Sequence, residues 1–153
     1  MDLNKIYLYR MTHIENIPHI LKYGITHVNS DNANPDYIPI GDNSLIQNRS
    51  EHSLDNGRLL GDYIPFYFGT RMPMLYVIQK GYNMVTATEP ENIVYCVTSV
   101  QQIIDLGLDF VFADGHAVDR FSRQFGLQDI DNIQDLIDWK AVKEKYWKKE
   151  DDL

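Results

Sequence analysis

The sequence predicts an α+β domain. Short runs rich in aromatic and β-branched residues are interspersed with short amphipathic stretches in no regular alternation, and a long polar segment separates the first elements from the rest. A doubly wound parallel sheet would alternate its strands with longer helices instead. The 153 residues suit one domain, 1–153, with room for a sizeable core.

Ile6 to Thr12 reads as a strand that carries Arg10 near its end. A helix follows, with Asn16 as N-cap, Pro18 in the first turn, Ile17, Ile20 and Leu21 as an apolar stripe, and Gly24 as its stop. Val28 to Asp62 is rich in Asn, Asp, Ser and Gly and holds a modest helix candidate, Ser44 to Arg49. So long an irregular stretch is either partly disordered or a substrate-contacting loop. Met74 to Gln79 and Ile93 to Thr98 read as strands on either side of a loop through Lys80 to Asn92. Ser99 and Gln102 form a capping box for a short helix that Gly107 closes. Phe110 to Phe112 is a further short strand, running into Ala113, Asp114, Gly115 and His116. Val118 to Phe125, Ile133 to Ile137 and Trp139 to Trp147 read as helical.

Composition narrows the function. The net charge of -8 excludes a broad basic surface for duplex nucleic acid, and no basic tail offsets it: residues 1–127 carry 14 acidic and 9 basic side chains, the remainder 8 and 5. A local, single-stranded contact that uses stacking as much as charge remains open. No apolar run is long enough to span a membrane and the start lacks signal-peptide architecture, so a cytoplasmic protein without a membrane partner is expected. Cys96 sits among strand formers and reads as packing. The five histidines show no zinc spacing, and no Walker A, GxGxxG, HExxH or GxSxG motif occurs, so no metal is expected.

The densest signal is Tyr63 to Ile78, YIPFYFGTRMPMLYVI. Pro65 and Pro73 interrupt any backbone ladder, and Gly69 gives conformational freedom just before Arg71. These residues suit a core with a paired arginine, and equally a ledge of aromatic faces beside a five-donor cation that would stack a base and grip a phosphate. Other polar residues stand where strands end: Arg10, Thr12 and His13 after the first strand, and His116 after FVFADG. Arg49, in IQNRS, reads by itself as a solvated helix residue.

Through LYRMTHIENIPHILKYGI, LIQNR, DYIPFYFGTRMPMLYVI, TSVQQIIDLGLDFVFADGHA and IDWKAVKEKYW, the chain resembles the DarT-type DNA ADP-ribosyltransferases, toxins of bacterial toxin–antitoxin pairs. The resemblance implies an ADP-ribosyltransferase-like fold with a central mixed or split sheet. It also implies NAD as co-substrate, a base in single-stranded DNA as acceptor and an antitoxin protein as partner. Carried over by position, Arg10, Thr12, His13 and Asn16 would line the NAD pocket, and Tyr67 and Arg71 would border the nicotinamide ribose and phosphates. Arg49 and His116 would serve the reacting centre, and Val28 to Asp62 would cover the dinucleotide.

Three features depart from the family pattern. Arg10 stands where many relatives have histidine, as a branch with a different base preference would. Arg49 is followed by Ser50 where many relatives have paired arginines. The family's catalytic glutamate is expected beyond Leu153, and Glu150 lacks its context, so the sheet would lack closing strands unless another chain or an altered architecture supplies them. A catalytically incomplete NAD- or DNA-binding module, or a protein ADP-ribosyltransferase, is the alternative.

Overall fold

The structure, a computed structural model, describes residues 2–40, 50–70, 88–115 and 122–143. The expected helix at Ser44 to Arg49 and strand at Met74 to Gln79 lie outside these residues, as does the part of the expected Trp139 to Trp147 helix beyond Lys143.

Strand β1, Tyr7–His13, is the axis of the site. It pairs antiparallel with β2, Ile93–Ser99, in a register running from Tyr7 opposite Ser99 to His13 opposite Ile93. On its other edge, Tyr9 exchanges two backbone hydrogen bonds with Tyr67, both 2.8 Å. A second antiparallel pair joins β3, Phe112–Ala113, to β4, Gln124–Phe125. Among the described residues the sheet is therefore split, in keeping with the α+β, ADP-ribosyltransferase-like expectation.

The strand termini follow from cap chemistry. After β1, the His13 Nδ1 accepts from the Glu15 N–H at 3.1 Å and turns the chain into helix α1, Ile17–Tyr23. Asn16 occupies the expected N-cap position but makes no cap hydrogen bond, because its carboxamide is engaged elsewhere. Gly24, at φ 81, ends the helix in a conformation that suits glycine. After β2, the Ser99 Oγ accepts from the Gln102 N–H at 3.2 Å and starts α2, Val100–Asp105. The reciprocal half of that capping box is missing, since the Gln102 side chain accepts from Thr98 instead.

The expected helix at Val118 to Phe125 is corrected at its end: Gln124–Phe125 is strand, and residues 118–121 lie outside the description. Two local interactions favour the hairpin. Asp114 holds Arg123 through the backbone and the guanidinium, and the Phe112 and Phe125 rings stack across the pair at 5.3 Å.

The core lies beneath the first half of β1. Ile6, Val100, Phe112, Ile130, Ile133 and Ile137 form it, the last three from the turn Leu127–Asn132, helix α3 (Ile133–Leu136) and the residue after it. Phe68 joins this core against Phe112 and against Trp139 of helix α4, Trp139–Val142. Gly69 is needed for closeness rather than conformational freedom, because a Cβ there would stand 2.9 Å from the Val142 carbonyl oxygen.

Long stretches without regular structure are held by side chains that imitate turns. Amide N–H groups at Asn29, Asn32, Asp36 and Arg58 each donate to the side chain two residues earlier, on His27, Ser30, Asn34 and Asn56. The Asn/Asp/Ser content that read as either disorder or a functional loop thus builds an ordered strap over 25–38.

Candidate active site

Strand pleating puts Arg10 and Thr12 on one face of β1, and Met11 and His13 on the other. Helix α1 brings Asn16, His19 and Ile20 against the first face. The strap contributes Ile25, Thr26, Asn34 and Tyr37 from outside, and together they enclose a cavity of about 30 Å³. That is room for about one water molecule.

Arg10, Thr12 and Asn16 each have an identifiable tie. The Arg10 guanidinium donates to the Pro65 carbonyl at 3.1 Å, which draws the aromatic segment toward the end of β1. Thr12 is buried and accepts from the Asn16 Nδ2 at 3.1 Å. Asn16 also donates to the Ile38 carbonyl at 2.8 Å and accepts from the Ile38 N–H at 2.9 Å. Farther along the strap, His27 contacts the Gly61 carbonyl through Nε2 at 2.6 Å while its Nδ1 accepts from Asn29. That pair of partners assigns the proton to Nε2.

Of the sequence-predicted site residues, the structure brings together Arg10, Thr12 and Asn16. His13 is adjacent in sequence but belongs to the other face and serves as the turn cap. Tyr67 is anchored on the edge of β1 away from β2, in register with Tyr9. Arg49, Arg71 and His116 lie outside the described residues. The aromatic block divides: Phe68 fills the core, whereas Tyr63 lies beneath the Arg58 guanidinium and accepts from Asn56. His19, Asn34 and Tyr37 also line the cavity and were not singled out as site residues from the sequence; for Asn34 the turn-forming Asn and Ser spacing was the available signal.

Electrostatics around β1 are mild. Cys96, opposite Arg10, is half-buried, and burial pushes its thiol up against a smaller downward pull from the Arg10 cation. Burial also raises the Tyr95 hydroxyl, which donates to the Thr70 carbonyl at 3.0 Å. Among the described residues no group of three His, Cys, Asp or Glu side chains could hold a metal ion, and no helix is long and apolar enough to cross a membrane.

The hairpin that leads toward His116 is tied by Asp114, whose Oδ2 lies 2.7 Å from the Arg123 Nε. The Arg123 side chain holds this carboxyl below its usual range. The folded value lies below the unfolded one, so the tie is fully present above the unfolded value of about 3.9 and is lost as pH falls through the lower folded value. Between pH 6 and 8 the Asp114 resonance should therefore not titrate by NMR. With Arg123 largely exposed, Asp114→Asn should cost under about 1 kcal/mol in urea unfolding.

A larger groove of about 570 Å³ runs between the Asp55–Arg58 turn, Tyr63, Phe110 and the Gln124–Gln128 segment. It contains none of the candidate residues, which gather instead in the polar cluster at the end of β1.

Comparison with known proteins bears on the family. A DNA ADP-ribosyl transferase of Thermus sp. (strain 2.9) is 36% identical over 146 residues, covering 92% of this chain and 66% of that protein. Its structures superpose with TM-scores of 0.75 for the complex with ADP-ribosylated ssDNA and 0.71 for the complex with NAD+, each covering 94% of this chain. A DNA ADP-ribosyl transferase of Escherichia coli O127:H6 is 31% identical and covers 99% of this chain and 69% of its own length. A Thermosipho africanus relative, 30% identical over 94% of this chain and 35% of its own length, is a DNA ADP-ribosyl transferase–DNA ADP-ribosyl glycohydrolase fusion protein. The chain spans about two thirds of the length of the first two relatives. Residues 9–153 match the profile described as ssDNA thymidine ADP-ribosyltransferase, and the chain belongs to this DarT family.

Proposed function

We propose that residues 1–153 form a single ADP-ribosyltransferase-like domain that transfers ADP-ribose from NAD+ to a base in single-stranded DNA. The observation that carries this reading is the cluster of Arg10, Thr12 and Asn16 under the strap, in a fold shared with a relative solved with NAD+ and with ADP-ribosylated ssDNA. At about 30 Å³ the cavity is far smaller than the roughly 300 Å³ or more usual for a ligand of this size, so it forms one corner of the proposed NAD+ site.

In the reaction the bond from the ribose C1′ to nicotinamide breaks, C1′ bonds to a nucleophilic atom of the base, and the proton displaced from the base passes to solvent. Arg10 and Arg71 supply cations for the diphosphate, Thr12 and Tyr67 border the nucleotide, and His13 supports the wall through its turn. Arg49 and His116 act at the reacting centre, where positive charge develops on the ribose. The net charge of -8 matches a narrow single-stranded contact better than a duplex surface.

The cytoplasm is the proposed place of action, with an antitoxin protein as partner. Support for a paired partner comes from the relative fused to a DNA ADP-ribosyl glycohydrolase.

Incubation of the purified chain with NAD+ and short single-stranded DNAs differing in one base, read by product mass, tests the proposal. Addition of one ADP-ribose is expected, with thymine the first acceptor to try. NAD+ binding without an adduct on any base would replace the reading with a binding module; an adduct on protein alone would replace it with a protein ADP-ribosyltransferase.

A further inference from the structure

Asn16 is only 1% exposed. Both of its amide protons are used, one on Thr12 and one on the Ile38 carbonyl, so it has none to give a nucleotide. Through Oδ1 it also accepts from the Ile38 N–H, and so meets both backbone groups of one residue as a neighbouring strand would. Among the described residues the strap is held at two points, Ile38 on Asn16 and His27 on Gly61. Between them run Asn34 and Tyr37, which wall the cavity opposite Arg10 and Thr12. The Thr12 hydroxyl, accepting from Asn16, keeps its own proton for another acceptor.

We infer that Asn16 is a positioning residue: without touching NAD+, it fixes the distance between the strap and β1 and orients the Thr12 hydroxyl. This assignment rests on the proposed NAD+ site. Asn16→Asp keeps the side chain's size but sets a carboxylate oxygen against the Ile38 carbonyl and the Thr12 hydroxyl oxygen, a repulsion that pushes the strap, and the Ile38 N–H with it, away from β1.

The test uses the whole chain and three readouts: hydrogen exchange of the Ile38 amide, NAD+ affinity by calorimetry, and KM and kcat for ADP-ribose transfer. Asn16→Asp should expose the Ile38 amide to exchange and raise the Kd and KM for NAD+ by about tenfold, with kcat at saturation within about threefold of wild type. Ile38→Pro, which deletes the N–H and leaves Asn16 in place, should raise KM in the same direction and carries the test if Asn16→Asp fails to fold. Thr12→Ser should keep NAD+ affinity and Thr12→Val should lose it. Release of Ile38 with unchanged KM would overturn the assignment, as would a fall in kcat at constant KM. Failure of the wild-type chain to bind NAD+ would overturn the proposed function and this assignment together, a result distinct from either variant pattern.

Discussion

Arg10→Ala is expected to lower kcat/KM for ADP-ribose transfer by about 10²–10³, the usual loss when a donor to developing or bound negative charge is removed from a walled site. Arg10 lines the cavity beside Thr12, and its guanidinium also grips the Pro65 carbonyl. Losing that hydrogen bond alone should cost about 0.5–1.5 kcal/mol of stability, too little to unfold the domain. Arg10→Lys should restore only part of the rate, because an ammonium cannot reproduce the planar fork that spans Pro65 and a phosphate. Product mass measured against time, with a melting curve for each variant, separates the contributions. A loss below about threefold in the folded Arg10→Ala protein would place Arg10 outside the site.

Ile133→Ala is expected to have the largest effect on stability, about 2–5 kcal/mol, since Ile133 is 2% exposed at the centre of the core with Ile6, Val100, Phe112, Ile130 and Ile137. That is a large share of a typical domain's total, and should lower the melting temperature by about 10 °C. Ile133→Val should cost about 0.5–1.5 kcal/mol. The core supports the Ile6 and Leu8 end of β1, whereas Arg10 and Thr12 face α1 and the strap. Transfer activity per folded molecule should therefore survive well below the new melting temperature. A parallel collapse of activity and stability there would mean that core and site are mechanically one unit.

How far the fold could be read from sequence depended on the range of the forces that build it. Strands β1 and β2 announce themselves by composition, α1 by Pro18 and Gly24, and α2 by Ser99, because each depends on residues a few positions apart. The β3–β4 pair was legible only in part: the strand expected at Phe110 to Phe112 meets β3 at Phe112 alone, and β4 was read as helix, since two-residue strands have no period and an amphipathic stretch before Phe125 reads equally as helix. The alternation that puts Arg10 and Thr12 on a common face, and His13 on the other, is contained in the strand assignment. The strap is different: Asn16 meets Ile38 across 22 positions and His27 meets Gly61 across 34, and no local pattern encodes either tie. Asn16 was thus identifiable as an N-cap, while its side chain answered to a distant backbone.

The pairing of β1 with β2 also governs when the protein can assemble. His13 meets Ile93 and Tyr7 meets Ser99, so the strand carrying Arg10 and Thr12 waits for a partner made much later. As the chain leaves the ribosome, α1 and the turns of the strap can form locally, but β1 has no principal partner until β2 emerges. Such widely separated pairing is slow to close and leaves an exposed strand edge in the interval. A nascent chain arrested before residue 93 would carry Arg10, Thr12 and Asn16 without the β2 strand that sets their register, which ties the geometry of these three residues to synthesis through Ser99.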